Sequence, residues 1–338
     1  MKRLCNIAWK KIGYWSLGLC VVLGLILYAL AWKPVPEKIQ YGMSFNTLYA
    51  RELGLDWRQV YDAMLYDLDI NHLRLAAHWP MVEGERNTYN FSELDYQVEE
   101  AKKAGADVVL AIGRRLPRWP ECHVPEWATE LNWEEQKDEL REYLTVVVER
   151  YRDEPHITYW QVENEPYLEV FAYDHCGDLD ETFLQEEVDL VRSLDDTRPI
   201  LVTDSGNLGT WSGAYKTGDV FGTSVYLYFW NPEIGQFRTF LPPWFYRAKD
   251  RLMRLWHGPQ ETMLIELAAE PWLVAPVTEV PIEQQLERMN LDILRETVAY
   301  AEGTRFEKQY LWGGEWWFWL RTQGHPELWE WARDWYAK

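Results

Sequence analysis

From Gln40 to its end the chain alternates short strand-like runs with longer amphipathic stretches, and it does so eight times. The strand-like runs are 41–46 (YGMSFN), 72–76 (HLRLA), 107–112 (DVVLAI), 157–165 (ITYWQVENE), 200–204 (ILVTD), 220–226 (VFGTSVY), 262–267 (TMLIEL) and 309–313 (QYLWG). Between them, ELDYQVEEAKKAGA stops on Gly105, and EEQKDELREYLTVVVERYRD, LDETFLQEEVDLVRSLDD and IEQQLERMNLDILRETVAYA carry apolar residues at helical spacing. A last helical pattern, PELWEWARDWYA, closes the chain. Strand followed by helix, repeated without a break in composition, predicts a (β/α)8 TIM barrel over 40–338. A doubly wound open sheet would need a glycine-rich phosphate turn after its first strand, and GMSFNT is not one.

Upstream of the barrel, Ile12 to Trp32 is a run of 21 uncharged positions, IGYWSLGLCVVLGLILYALAW. At about 1.5 Å per residue it is long enough to span hydrocarbon. Tyr14, Trp15, Tyr28 and Trp32 stand near its ends as an interfacial belt would. Lys2, Arg3, Lys10 and Lys11 precede it, which by the positive-inside rule keeps 1–11 in the cytoplasm. The expectation is a single-pass signal-anchor over 12–32, a short stiff linker at 33–39 (KPVPEK and one further residue), and an extracytoplasmic barrel domain. A cleaved signal peptide is the rival, because ALA at 29–31 is a possible cleavage site and would leave a secreted protein.

The formal charge is −20, although Lys2, Arg3, Lys10, Lys11 and Lys33 are unopposed by any acid before Pro34. Such an acidic surface repels phosphate backbones, so nucleic acid is not an expected partner. The chain holds 21 Trp and 20 Tyr, which serve core packing and can also form flat platforms for sugar rings. Cys5 and Cys20 belong to the anchor region. Cys122 and Cys176 form an even pair in an oxidising compartment, where a disulfide is expected. Their neighbours His123 and His175 leave a zinc-like set as the alternative, with a poor spacing for tetrahedral ligation.

In such a barrel, working residues collect at the C-terminal ends of the strands. Strand two leads from Arg74 to His78 and Trp79, strand three ends in GRRLPRWPE, and strand four ends in ENEP. Strand five ends in Asp204 and strand six in Tyr226. Strand seven gives Glu266 and then AAEPW, and strand eight gives Trp312 and GGEWW. Pro166 lacks an N–H, so Asn164 and Glu165 stand where a strand ends and a loop begins. Glu165 and Glu266 lie close to three βα units apart and should face one pocket from different rims. Two such carboxyl groups are what glycosidic cleavage needs, one to give a proton to the leaving oxygen and one to attack or to activate water.

With those motifs the sequence resembles the clan A, or 4/7, retaining glycoside hydrolases, cellulase-like enzymes on (β/α)8 barrels. The resemblance covers most of 40–320 and is carried by ENEP, by TMLIELAAEPW, and by Arg74, Tyr226 and Trp312 at their strand ends. It implies Glu165 as general acid/base, Glu266 as nucleophile, and Asn164 on the sugar 2-hydroxyl. Arg74 and Tyr226 would hold Glu266, and Trp312 would lie under the sugar. Trp79 joins these as a substrate-binding candidate. The chain departs from the pattern at the end of strand three, where Gly113-Arg114-Arg115 stands in place of a histidine. Glu270 is a second carboxylate after strand seven, expected in the following loop, and Glu163 is expected to support a neighbouring cation. The implied activity is retaining hydrolysis of a β-linked polysaccharide or glycoconjugate without a metal or organic cofactor. A transglycosylase and a catalytically inactive carbohydrate-binding barrel are the alternatives.

Overall fold

The computed structural model describes residues 21–337 apart from 169, 171, 172, 232 and 274. Eight parallel strands close on themselves: β1 (Gln40–Ser44), β2 (His72–Ala76), β3 (Asp107–Ile112), β4 (Ile157–Val162), β5 (Ile200–Asp204), β6 (Val220–Val225), β7 (Glu261–Ala268) and β8 (Lys308–Trp312). β8 returns to β1 with Gln40 opposite Lys308 and Met43 opposite Leu311, which shuts the barrel. Every strand is followed by helix, from Trp57–Tyr66 after β1 to Gly314–Thr322 and Glu327–Tyr336 after β8. This is the (β/α)8 barrel that the alternation predicts, with most strand bounds within one or two residues of the expected runs.

The helices start and stop where side chains satisfy the end groups of the backbone. Asn132 and Glu135 form a reciprocal capping box at the start of Trp133–Tyr151, and Asp180 caps Glu181–Leu194. Gly105 takes a left-handed φ of 72° to end Ser92–Ala104. Outward-facing strand residues such as Leu110, Trp160 and Val202 join the helices in one large core. Inside the barrel, Val109, Tyr159, Leu201, Met263, Ile265 and Tyr310 form a separate apolar plug. Gly42 makes room for that plug, because a Cβ there would stand 2.4 Å from the Tyr310 ring. Above the plug the interior turns polar at Arg74 and Gln161, and the functional surface begins there.

One feature differs from the sequence reading. An antiparallel hairpin, Tyr228–Asn231 with Gly235–Arg238, stands on the loop after β6 and was not expected. The expected anchor falls in part outside the described residues, which begin at 21. Residues 21–31 are helical, and no helix among the described residues is long and apolar enough to cross a membrane.

Candidate active site

The fourth strand stops earlier than the expected run to Glu165, and the reason is conformational. Glu163 and Glu165 both take left-handed backbone conformations, with φ of 56° and 44°. Side chains other than glycine and asparagine rarely visit that region, and the surrounding contacts must hold them there. The Glu163 carboxylate accepts the backbone N–H groups of Arg114 at 2.7 Å and Arg115 at 2.6 Å, tying the ends of β3 and β4 together. Gly113 permits this approach, since a Cβ at its φ of 120° would fall 2.3 Å from Oε1 of Glu163. The backbone N–H of Asn164 donates to the Arg115 carbonyl at 2.7 Å, and that of Glu165 to Oγ1 of Thr203 at 2.8 Å. Consecutive residues are thereby fixed with the side chains of Asn164 and Glu165 on the rim of the mouth.

Arg74 organises the centre. Its Nε donates to Oε1 of Gln161 at 2.8 Å, Nη2 to Oδ1 of Asn164 at 2.6 Å, and Nη1 to Oε2 of Glu266 at 3.1 Å. The Tyr226 hydroxyl donates to the other oxygen of Glu266 at 2.6 Å. Both oxygens of Glu266 are thus held as acceptors. Glu165 is in the opposite situation. Burial, followed by the negative charges of Glu266 and Glu121, pushes its carboxyl well above the ordinary carboxylate range. Its Oε1 has no hydrogen-bond partner among the described residues. Arg74, Asn164, Glu165, Tyr226, Glu266 and Trp312 all line one cavity of about 860 Å³ at the C-terminal ends of the strands. A carboxyl pushed toward its protonated form and a carboxyl held as an acceptor, both lining one cavity, can perform acid and nucleophile chemistry on the same bond.

The raised Glu165 carries a cost in stability with a defined sign. Between the unfolded carboxyl pKa of about 4.3 and its higher folded value, the native state keeps a proton that the unfolded chain releases. Stability therefore falls as pH rises through that window. Glu165→Gln keeps the shape and removes the titration. Its melting temperature should match the parent near pH 4 and exceed it near pH 7, as read by thermal melts at both pH values.

Trp79 does not join the site. It opens the short helix Trp79–Val82, which turns its indole inward, fully buried between Trp127 and Tyr143. Its Nε1 donates to Oε2 of Glu83 at 2.8 Å, so the buried N–H is satisfied within the core. It is a packing residue and not a substrate platform. Arg114 and Arg115 are likewise committed to the protein. Arg114 donates to the Cys176 carbonyl, and Arg115 pairs with Glu121 and donates to the Leu168 carbonyl. Glu270 lies beyond the end of β7, as expected, and pairs with Arg118 at 2.5 Å.

Cys122 and Cys176 are joined, with Cα atoms 5.4 Å apart, and fasten the loop after β3 to the loop after β4. The disulfide takes both thiols out of the zinc-like set, and among the described residues no His, Cys, Asp and Glu cluster is arranged to hold a metal. The bridge closes a loop of 54 residues, so replacing both cysteines with serine should cost about 2–4 kcal/mol. The parent melted in reductant should show the same fall in melting temperature. Arg118, Glu121 and Glu315 of the strand-end motifs GRRLPRWPE and GGEWW also line the cavity without having been singled out, and sequence reasoning missed Asn46, Tyr49 and the aromatic wall formed by Tyr228, Phe229 and Trp230 of the hairpin. The hairpin had a local signal in YLYFWNPEIGQFR, where aromatic runs flank a proline and a glycine.

Residues 40–252 match the family model described as Cellulase (glycosyl hydrolase family 5). The chain belongs to that family. Among curated proteins it is similar to the β-galactosidase BgaH of Haloferax lucentense, 26% identical over 171 residues, covering 45% of this chain and 25% of that one. It is also similar to the β-galactosidase LacA of Lactobacillus acidophilus, 28% identical over 118 residues, covering 29% and 17%. The matched stretch thus spans a quarter or less of these relatives' length. Among solved structures, a GH5_18 enzyme of Bifidobacterium longum subsp. longum superposes with a TM-score of 0.57 at 13% identity, over 82% of this chain and 70% of that one. The β-galactosidase of Halorubrum lacusprofundi gives 0.53 at 15%, over 81% and 52%. At such identities these two likenesses carry the fold alone.

Proposed function

We propose that the family 5 chain is a retaining β-glycoside hydrolase working by double displacement. Glu266 attacks the anomeric carbon while Glu165 gives its proton to the glycosidic oxygen, so the C–O bond breaks as the glycosyl–Glu266 ester forms. Water then gives a proton back to Glu165 and attacks the same carbon, which releases the sugar and frees the Glu266 carboxylate. Asn164 donates to the 2-hydroxyl, Arg74 and Tyr226 fix Glu266, and Trp312 lies under the ring. The observation that carries this reading is the contrast between two carboxyl groups on one cavity. Burial and neighbouring negative charge favour the protonated form of Glu165, while a guanidinium and a phenol grip Glu266. The curated relatives are β-galactosidases, so a panel of aryl β-galactosides, β-glucosides and β-mannosides is the first assay. Release of phenol by the parent, lost in both Glu165→Gln and Glu266→Gln with unactivated aglycones, supports the reading. A parent inert on the whole panel and on β-linked polysaccharides counts against it.

The apolar run 12–32 is proposed to hold the protein in a membrane, with the barrel on the extracytoplasmic side. The described part of that run exposes Leu25, Tyr28 and Trp32. Where it leaves the helix it is fastened to the barrel. Arg247 Nε donates to the Ala31 carbonyl at 2.8 Å, Arg305 donates to the Lys33 carbonyl, and Lys33 pairs with buried Asp250 at 3.1 Å. Membranes washed with carbonate should retain the full-length chain. A soluble product beginning near Trp32 or Lys33 would replace the anchor by a cleaved signal.

A further inference from the structure

The loop after β3 does not stay on its own side of the barrel. β3 and β7 are separated by three strands in either direction around the closed sheet. Even so, Arg118 of the β3 loop reaches Glu270 of the β7 loop, with Nη2 2.5 Å from Oε1. On the way its guanidinium stacks over the ring of Tyr49 and stands 5.1 Å from the centre of the Trp312 ring. Asn46 braces the crossing through a hydrogen bond to the Pro117 carbonyl, and Glu315 in turn holds the Asn46 N–H at 2.5 Å. The result is an ionic bar across the mouth, above β8 and β1.

The chemistry of the pair fixes which end of a substrate meets this bar. In the retaining-hydrolase reading the sugar under attack lies between Glu266 and Asn164 with its face on Trp312, three residues that line the same cavity. The leaving group must extend past Glu165, away from Trp312. The bar therefore stands at the far end of the attacked sugar, where a preceding sugar of a chain would have to pass. It is not a contact that yields easily. Its side chains are 16% and 6% exposed, and separating them would leave Glu270 buried and unpaired. Tyr49 lies beside the second oxygen of Glu270, Nε1 of Trp312 is buried without a hydrogen-bond partner among the described residues, and all three residues line the cavity.

We infer that the Arg118–Glu270 bar closes the glycone end of the groove, so that the site accepts a single non-reducing terminal sugar and releases monosaccharides. This inference rests on the retaining-hydrolase reading above. Its test follows the first product formed from 4-nitrophenyl β-lactoside, β-cellobioside and β-mannobioside by chromatography. The parent should release a monosaccharide first, with no intact disaccharide. Arg118→Ala should release intact disaccharide and nitrophenol at a rate at least about tenfold above the parent. Glu270→Gln removes the charge that pairs with Arg118 and should likewise let intact disaccharide appear among the first products. Intact disaccharide as the parent's first product would overturn the inference while leaving the hydrolase reading in place, as would an Arg118→Ala product pattern identical to the parent's. The parent's product order stands as a test even where the loop variant does not fold. A parent that cleaves no glycoside removes the hydrolase reading and this inference together.

Discussion

Glu266→Gln is expected to lower turnover by about four orders of magnitude or more, on every substrate and at every pH. The amide oxygen is a far poorer nucleophile than a carboxylate, and Arg74 Nη1 loses its charged partner at a position where the guanidinium is buried. Because the lost step is bond formation to the anomeric carbon, activated leaving groups should not restore the rate. A small anion should. In Glu266→Ala the removed side chain leaves room beside Tyr226 for azide, which can attack the anomeric carbon from the same face and yield a glycosyl azide of inverted configuration. Rescue of phenol release by azide, with that product identified by NMR, is the result the account expects. A Glu266→Gln variant keeping a tenth of the parent rate would remove Glu266 from the chemistry and direct attention to Glu270.

Glu165→Gln should act selectively, and its selectivity is the larger part of the prediction. Proton donation of this kind contributes about 10²–10⁴-fold. The loss should therefore be of that order for oligosaccharides and alkyl glycosides, whose leaving oxygens need a proton. Dinitrophenyl glycosides leave without one and should form the glycosyl-enzyme at close to the parent rate. Its hydrolysis should then be slow, because the same carboxylate must take a proton from water, so a burst of phenol ahead of a slow steady state is expected. The pH profile gives the second signature. Glu165 works as an acid only while protonated, so parent activity falls as pH rises through its raised pKa. That alkaline limb should be absent in the variant. An equal loss on good and poor leaving groups would contradict the assignment.

How much of this was legible in the chain depends on whether the information is local. The strands announce themselves by short β-branched and aromatic runs, and the helices by their apolar spacing. Closure into a barrel follows from the count and order of those units. That Glu165 and Glu266 stand near strand ends on one cavity was readable from Pro166, which follows the fourth strand, and from strand alternation with the β-branched Ile265 in the seventh. The over-extended fourth strand has a physical origin. The left-handed turns at Glu163 and Glu165 depend on Gly113 and two N–H groups of another strand, which pairwise sequence patterns do not express. Trp79 failed for a related reason. A tryptophan just past a strand end is equally placed to face the mouth or the core, and the four-residue helix that turns it inward gives no periodicity to read. The Arg118–Glu270 bar joins residues 152 positions apart on opposite walls, a meeting that exists only once the loop has crossed the mouth.

The most direct test of the central claim is the configuration of the sugar at the instant it is released. Proton NMR of a β-glycoside hydrolysis in deuterated buffer, recorded within the first minutes before mutarotation, reads it without any variant. Two displacements at one carbon, first by Glu266 and then by water, predict that the β-anomer appears first and the α-anomer grows in only as the two equilibrate. First appearance of the α-anomer would mean a single displacement by water. Glu266 would then be a base rather than a nucleophile, and the double-displacement account would be wrong.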